Sequence, residues 1–272
     1  MIAQRSVARE PTRRQAGDVV FARVSKVYRR GHVAALQDVS FAITAGEAVA
    51  FIGPSGAGKT TMLRLLNRFL LPDTGRVSIG GRDLATLSGR ETRALRRDTG
   101  VIYQQHNLVT QLRVVHNVLA GRLGSWSTLG SLGSLVAPAA PRRDMARQAL
   151  AAVGLEGQID AITADLSGGQ QQRVAIARVL VQDPTLILAD EPVASLDPRT
   201  ASDVLETLLR VQRQGSKTLL VSIHNVDLVR RHFSRVIGLT DGRTVFDGRP
   251  DDLNETILAT IYGAQRAEAV EG

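Results

Sequence analysis

A glycine-rich run at residues 53–61 is the strongest candidate for chemistry in this sequence. It contains the spacing G-x-x-x-x-G-K-[ST]. Glycines permit backbone dihedrals at which successive N–H groups converge on one anion. The lysine of such a loop reaches the β- and γ-phosphates of a nucleotide, and the next hydroxyl binds Mg²⁺. The residues predicted to hold the nucleotide are Gly53, Pro54, Ser55, Gly56, Ala57, Gly58, Lys59, Thr60 and Thr61.

The segments on either side of this loop have the patterns that a phosphate site requires. Residues 47–52 form a short apolar run, which predicts a buried strand. Residues 60–69 are apolar at helical spacing, which predicts a helix whose N-terminus adds about half a positive charge below the phosphate. Strand, loop and helix together predict a site for a nucleotide, with Thr60 as a ligand of Mg²⁺.

Two consecutive carboxylates follow another apolar run, at residues 185–189. Asp190 is expected at the carboxyl end of this strand, which faces the ligand crevice in a parallel sheet. An aspartate in that position, beside a phosphate loop, is suited to hold Mg²⁺. Glu191 is next in the chain and is suited to polarise an attacking water. We therefore expect Asp190 to bind the metal and Glu191 to be the catalytic base.

Two further polar residues also follow predicted strands. His224 ends a strand expected beside that of Asp190, where it would contact the γ-phosphate or order the water. Gln104 ends another strand, and its uncharged amide is suited to ligate Mg²⁺ or water. From the local sequence alone, a structural role explains each of these two residues as well as a catalytic or metal-binding role does.

A second glycine-bearing segment, at residues 166–170, reads Leu-Ser-Gly-Gly-Gln and opens a predicted helix. A helix N-terminus after glycines is a possible second phosphate site. Because the chain has one evident nucleotide pocket, we expect this segment to serve the nucleotide of another copy.

The elements that position these residues predict an α/β fold. Apolar strands alternate with helices, which indicates a mostly parallel sheet covered on both faces. Antiparallel-looking strands open the chain, before the phosphate loop. Residues from about 104 to 165 contain helical patterns and no strand signal, which predicts an inserted helical subdomain. The Gly/Ser-rich stretch at 121–141 is expected to be a mobile loop, and Trp126 in it is either a partner contact or an anchor of the subdomain's own core.

Composition places few limits on the kind of protein. The 272 residues include 43% hydrophobic and 22% charged residues, as in a globular protein. There is no cysteine, so a disulfide or a thiolate site is excluded. The net charge of +8 is consistent with an anionic partner, or with an arginine-favouring genome, since all but three of the basic residues are arginines.

No apolar run is long enough to span a bilayer. Residues 1–17 are expected to form a basic, disordered tail without a secretory signal.

From about residue 19 to residue 246, the order and spacing of these motifs resemble the ATP-binding subunit of an ATP-binding-cassette (ABC) transporter. The resemblance implies ATP and Mg²⁺ as cofactors, catalytic roles for Gln104, Glu191 and His224, and metal-binding roles for Thr60, Gln104 and Asp190. It also implies that Tyr28 stacks on the adenine. In this family two copies pack head to tail, and each closes on the ATP bound by the other. The residues implied to contact the other copy's ATP are Ser167, Gly168, Gly169, Gln170 and Asp197.

The resemblance also implies a domain organisation. We expect a RecA-like P-loop ATPase core with an N-terminal antiparallel β subdomain, at residues 18–103 and 166–263. The helical subdomain is expected at about 104–165, and the helix that follows the 166–170 segment is expected to extend it to about 182. A frayed tail is expected at 264–272.

Within the family, the sequence is most similar to the phosphonate-importer branch. The Leu-Gly-Ser-Trp stretch in residues 121–136 and the segments at 104–108 and 224–227 support this assignment. Two positions depart from the usual pattern: Asn225 replaces a glutamine, and His116 replaces a glutamate found in many importers. Importers of phosphite, phosphate esters or amino acids therefore remain alternatives. A soluble ABC ATPase that acts on nucleic acid is a further one.

The implied partners follow from the family. They are a second copy of the chain, membrane permease subunits that dock beside Gln104, and indirectly a periplasmic substrate-binding protein, with no nucleic acid. The implied location is the cytoplasmic face of the inner membrane, as a peripheral subunit.

Overall fold

A computed structural model describes residues 17–28, 33–104, 107–126, 138–194 and 196–263. The predicted tails, except Gly17, and most of the 121–141 stretch lie outside these ranges. The strands within them are β1 (Val19–Tyr28), β2 (Val33–Ile43), β3 (Ala48–Ile52), β4 (Thr74–Ile79), β5 (Arg82–Asp83), β6 (Thr99–Ile102), β7 (Leu186–Asp190), β8 (Thr218–Ser222), β9 (Arg235–Thr240) and β10 (Arg243–Gly248).

The helices described are α1 (Lys59–Leu66), α2 (Gly89–Asp98), α3 (Val114–Leu119), α4 (Ala140–Ala152), α5 (Gly168–Gln182), α6 (Pro198–Gly215), α7 (Val226–His232) and α8 (Glu255–Tyr262). Short 3₁₀ turns are found at Leu84–Thr86, Ala120–Ser125, Glu156–Gln158, Thr163–Asp165 and Pro250–Asp252.

The strands form two sheets. The smaller one has the order β2-β1-β4-β5 and is antiparallel throughout. The larger one has the order β10-β9-β3-β8-β7-β6 and is parallel except for β10. In the larger sheet, β3 lies between β8 and β9, and β7 lies between β8 and β6. The strands that precede the phosphate loop, the Asp190–Glu191 pair and His224 are therefore close neighbours.

Side chains that alternate along the central strands enter two separate hydrophobic cores. From β3, Val49 and Phe51 join the core beneath the antiparallel sheet and α1, whereas Ala50 and Ile52 join the core of the helical side. Because both faces are covered, the middle residues of the central strands β3, β7 and β8 are apolar on both faces. The expected α/β fold, with its mostly parallel sheet and N-terminal antiparallel sheet, is confirmed.

Between β6 and β7 the described residues form helices and turns, with a single isolated bridge between Arg113 and Ile162. Helices α3 and α4 both pack on α5. Trp126 is half-buried against this helical core, and the guanidinium of Arg142 lies 4.2 Å from its ring centroid. This packing favours the anchor role for Trp126 over a partner contact.

The helix predicted over 60–69 is shorter in the structure, where α1 ends at Leu66. Arg68 has a φ of +53°, which an α-helix cannot accommodate. The backbone carbonyls of Asn67 and Arg68 accept hydrogen bonds from Arg96 of α2, at 3.2 and 3.0 Å. A contact distant in sequence therefore accompanies the end of this helix.

Candidate functional site

The loop at residues 53–58 joins β3 to α1, and glycine is required at both of its ends. Gly53 has a φ of +145°, and a Cβ there would lie 2.2 Å from the carbonyl oxygen of Leu239. Gly58 has a φ of +105°, and its Cβ would lie 2.5 Å from the carbonyl oxygen of Ala35. Gly56 also has a positive φ but faces open space. The two outer glycines therefore fit the loop tightly against the sheets, and its middle remains accessible to a ligand.

Lys59 is the first residue of α1 and is only 4% exposed. Its ammonium group donates hydrogen bonds to the carbonyl oxygens of Gly53 at 2.6 Å and Pro54 at 3.0 Å. Burial lowers the pKa of Lys59, and the nearby carboxylates of Glu191 and Asp190 oppose this shift. The two hydrogen bonds thus hold the end of the Lys59 side chain at the phosphate loop.

Thr60 and Asp190 lie together although 130 positions separate them in sequence. The Thr60 hydroxyl donates to Asp190 Oδ1 at 3.1 Å. Both are the hard oxygen ligands that Mg²⁺ prefers, and adjacent ligands about 2.1 Å from an octahedral ion lie roughly 3 Å apart. The pair therefore fits Mg²⁺.

Glu191 is directed to a different partner from Asp190. Its carboxylate Oε1 forms a hydrogen bond with His224 Nε2. Glu191 has a φ of +48°, a conformation that costs a non-glycine residue about 1–2 kcal/mol. Strain of this kind is characteristic of functional sites, where surrounding contacts maintain it. The structure thus joins the predicted base to the predicted catalytic histidine, His224.

Tyr28 is the last residue of β1, and its hydroxyl lies 3.2 Å from Thr61 Oγ1 of α1. This contact ties the aromatic ring to the phosphate-loop helix. Gln104 is exposed, two residues past the end of β6, whose Ile102 pairs with Ala189 of β7. It therefore follows the strand next to that of Asp190, and its catalytic and metal-binding roles remain predictions.

The segment at 166–170 contains the start of α5, and hydrogen bonds join residues within it. The Ser167 hydroxyl accepts from the Gln170 backbone N–H at 3.3 Å, and the Gln170 side chain accepts from the Ser167 N–H at 2.9 Å. This is a capping box. Among the described residues, no hydrogen bond or ion pair joins this segment to the phosphate loop of the same chain.

Asp197 caps α6 nearby. Its carboxylate accepts from the Thr200 N–H at 3.1 Å, and hydrogen bonds from Thr200 hold the pKa of Asp197 below its usual value. Thr200 also approaches Gly169, where an added Cβ would lie 2.7 Å from the threonine methyl. The capping aspartate and the glycine segment are therefore adjacent.

Two residues of this site were not predicted from the sequence. Ser222, the last residue of β8, bonds both Asp190 and Glu191. Tyr262 of α8 donates from its hydroxyl to the carbonyl oxygen of His224 at 3.3 Å. Ser222 was detectable as a polar residue that ends an apolar strand two positions before His224. The contact of Tyr262 depends on tertiary structure alone.

These features agree with the comparison to known protein families. The profile of the ABC transporter family matches residues 36–194, a span that includes the phosphate loop, the 166–170 segment and both carboxylates. This chain belongs to the ABC transporter family. The family expected from the sequence motifs is therefore confirmed.

Two curated relatives of this ABC protein match along most of its length. The Phosphonates import ATP-binding protein PhnC 2 of Rhodopseudomonas palustris (strain BisB18) is 47% identical over 247 residues, which cover 89% of each chain. The Phosphonates import ATP-binding protein PhnC of Chromohalobacter salexigens is 44% identical over 245 residues, covering 89% of this chain and 88% of the relative.

Solved structures of ABC proteins have the same fold. The dimeric, post-hydrolysis ATP-binding cassette MJ0796, bound to ADP and Pi, aligns with a TM-score of 0.75 and 33% identity, covering 85% of this chain and 98% of that one. The protein cbiO1 of Clostridium perfringens, part of the ABC transporter complex cbiONQ, aligns with a TM-score of 0.76 and 27% identity, covering 90% and 94%. Within the described ranges, none of the helices of our ABC protein has the length and apolar character needed to cross a membrane.

Proposed function

We propose that this ABC protein is the ATP-hydrolysing subunit of an importer for phosphonates or related phosphorus oxyanions. The observation that carries the proposal is the 47% identity, over 89% of the chain, to a phosphonates import ATP-binding protein. The chain of contacts from Thr60 through Asp190 to Ser222, together with the Glu191–His224 pair, supports hydrolysis at this site.

Each side chain has a definite task in the proposed reaction. Lys59 and the loop amides bind the β- and γ-phosphates, and Tyr28 offers its ring to the adenine. Thr60 and Asp190 would hold Mg²⁺, which would supply positive charge to offset the negative charge of the phosphates. Glu191 accepts a hydrogen bond from the attacking water and polarises this water toward the γ-phosphate. His224 orients the Glu191 carboxylate through their direct hydrogen bond.

We also propose that two copies form the active unit. In the part of the chain that the structure describes, the 166–170 segment forms hydrogen bonds within itself and none with the phosphate loop. Its serine and glycines lie at the N-terminus of α5, where backbone N–H groups favour an anion. A second copy would place this segment over the γ-phosphate, with Asp197 beside it.

A cleft of about 1610 Å³ beside α2, β6 and α5 supports a permease partner. Its basic lining includes Arg90, Arg93, Arg96, Arg97, Arg122, Arg178 and Lys217. Asp183 is the acidic residue of the lining and is paired with Lys217 at 2.6 Å. The excess of positive charge suits an acidic cytoplasmic segment of a permease. Binding there would hold the protein at the cytoplasmic face of the inner membrane, and a periplasmic binding protein would supply the substrate.

The catalytic assignment is tested with the purified protein. Lys59→Ala is expected to abolish ATP binding, because the loop loses its buried cation. Glu191→Gln is expected to bind ATP but to hydrolyse it at least about 100-fold more slowly, and to accumulate as a dimer. Glu206→Gln, an exposed change on α6, is the matched control and should keep the wild-type rate. Hydrolysis by Glu191→Gln at the wild-type rate would show that Glu191 is not the base.

The transported substrate is tested by growth of a deletion strain of the source organism. With a phosphonate as the sole phosphorus source, the strain should grow only when it carries the wild-type gene, and not with the Glu191→Gln allele. Growth on inorganic phosphate should be unaffected. If the deletion strain loses growth on phosphite or on a phosphate ester but keeps growth on phosphonates, the assignment to phosphonates is wrong.

A further inference from the structure

Ser222 makes two hydrogen bonds that connect the metal-binding carboxylate to the catalytic base. It is the last residue of β8 and is fully buried. Its hydroxyl donates to Asp190 Oδ1 at 2.8 Å and accepts from the backbone N–H of Glu191 at 2.8 Å. One side-chain oxygen thus contacts both residues of the acidic pair.

The position of Ser222 follows from strand register. Strands β7 and β8 are parallel neighbours, with Asp190 opposite Ser222. Immediately after this pair, the backbone turns at Glu191 with a φ of +48°. With this turn, Asp190 accepts from Thr60 Oγ1 and Glu191 contacts His224, while both carboxylates stay near Lys59 of the phosphate loop. Without the turn, consecutive residues of a strand would place their side chains on opposite faces of the sheet.

We propose that Ser222 is a positioning residue for ATP hydrolysis, which holds the turn at Glu191 and the orientation of Asp190 together. The inference rests on the proposed function, because it concerns the same reaction. Ser222 touches neither ATP nor water in this role. It acts on the metal through Asp190 and on the attacking water through Glu191.

Removal of the hydroxyl in Ser222→Ala has separate effects on the two carboxylates. Asp190 loses a donor that orients it, so the Mg²⁺ concentration for half-maximal ATP binding should rise about 10- to 100-fold, the usual effect of losing a partner of a metal ligand. The Glu191 N–H loses its acceptor, so its amide should exchange with solvent faster. The kcat should fall by a similar factor, with a smaller change in KM for MgATP.

Thr218 offers a matched control at the other end of β8. It is also fully buried, and its hydroxyl also accepts a backbone N–H, that of Gly46, at 2.9 Å. Thr218→Val removes a comparable hydrogen bond while it preserves side-chain volume. It should also lower the thermal midpoint, but leave kcat, the Mg²⁺ dependence and Glu191 exchange unchanged. Ser222→Thr retains the hydroxyl and should recover Glu191 protection and Mg²⁺ dependence.

The experiment combines calorimetric ATP binding at a series of Mg²⁺ concentrations, hydrogen exchange of the 190–194 segment and steady-state ATPase assays. A selective effect of Ser222→Ala on all three supports the proposal. Equal behaviour of Ser222→Ala and Thr218→Val would overturn it. If the wild type binds but does not hydrolyse ATP, the proposed function fails, whereas Mg²⁺-dependent binding and Glu191 exchange still decide the role of Ser222.

Discussion

At the scale of single residues, the glycines of the phosphate loop have different physical roles. Gly53 and Gly58 are positions where a Cβ would overlap a backbone carbonyl of a neighbouring strand or loop. Gly56 needs glycine for its positive φ alone, since its surroundings are open. The sequence motif does not distinguish these glycines. Only the packing in the structure shows which glycine is needed for its positive φ and which is needed because a Cβ would overlap a neighbour.

This difference predicts unequal losses of stability. Gly56→Ala should lower the free energy of unfolding by about 1 kcal/mol, the cost of a positive φ. Gly53→Ala should lower it by about 2 kcal/mol more, because the Leu239 carbonyl must also move. Urea unfolding followed by circular dichroism measures both values. Equal losses for the two variants would contradict the steric explanation.

At the scale of elements, the site is assembled from the ends of strands and the starts of helices. Strands β3, β7 and β8 end together because they are parallel neighbours, and the phosphate loop, Asp190 and Ser222 lie at those ends. Helices α5 and α6 begin with side-chain caps, by Ser167 and Asp197. The same caps that start these helices also place the residues proposed to contact the nucleotide of the second copy.

The cap of α6 predicts a pH dependence. The pKa of Asp197 is lowered in the folded protein, so its ionised form stabilises α6 at pH values above its unfolded pKa of about 3.9. This contribution is lost as the pH falls through the lower, folded-state pKa. Asp197→Ala should therefore reduce the urea midpoint at pH 7 and at pH 5, and the difference from wild type should shrink below about pH 4.

Asp197→Asn is the control for this measurement, because asparagine also caps helices but does not titrate. The difference between Asp197→Asn and Asp197→Ala should be independent of pH. A wild-type advantage over Asp197→Ala that persists undiminished at pH 3 would contradict the role of the ionised carboxylate.

At the scale of the whole molecule, the proposed two-copy unit assigns to each chain two halves of different sites. The phosphate loop with its carboxylates is one half, and the 166–170 segment with Asp197 is the other. The relative MJ0796, which has the same fold, is dimeric in its post-hydrolysis structure. A head-to-tail pair would combine the halves reciprocally, in a closed two-fold arrangement.

The reciprocal arrangement predicts complementation between two inactive variants. Lys59→Ala disables the phosphate loop. Gly168→Asp is expected to fold, because a Cβ at Gly168 meets no atom within 4 Å and an acid is favourable in the first turn of a helix. The negative charge of the introduced aspartate should repel the γ-phosphate of the ATP bound by the other copy. In a mixed dimer both lesions lie in one site, and the second site is intact.

An equal mixture should therefore regain ATPase activity that neither variant has alone, with roughly a quarter of the wild-type sites complete. The control is each variant at the same total concentration. If the mixture stays inactive although mixed dimers are detected, the 166–170 segment serves its own chain and the two-copy site is wrong.

Much of the site was predictable from sequence because its parts are local. The phosphate loop, the capping box at Ser167 and the apolar strand before Asp190 each depend on neighbouring residues, whose spacing shows their conformation. Ser222 was overlooked because a serine at a strand end has many ordinary explanations. The end of α1 at Leu66 was misplaced because arginine favours helices, and nothing local at Arg68 indicates the contact with α2.

The sequence by itself determined which groups are present, the order of strands and helices, and the family. These follow from contiguous motifs and from hydrophobic periodicity. Only the tertiary structure decided which groups meet. Thr60, Asp190 and Ser222 lie far apart in the chain, and the order β3-β8-β7 brings them together. The pairing of Glu191 with His224 likewise depends on that order and on a left-handed turn, which a buried hydroxyl from a neighbouring strand holds.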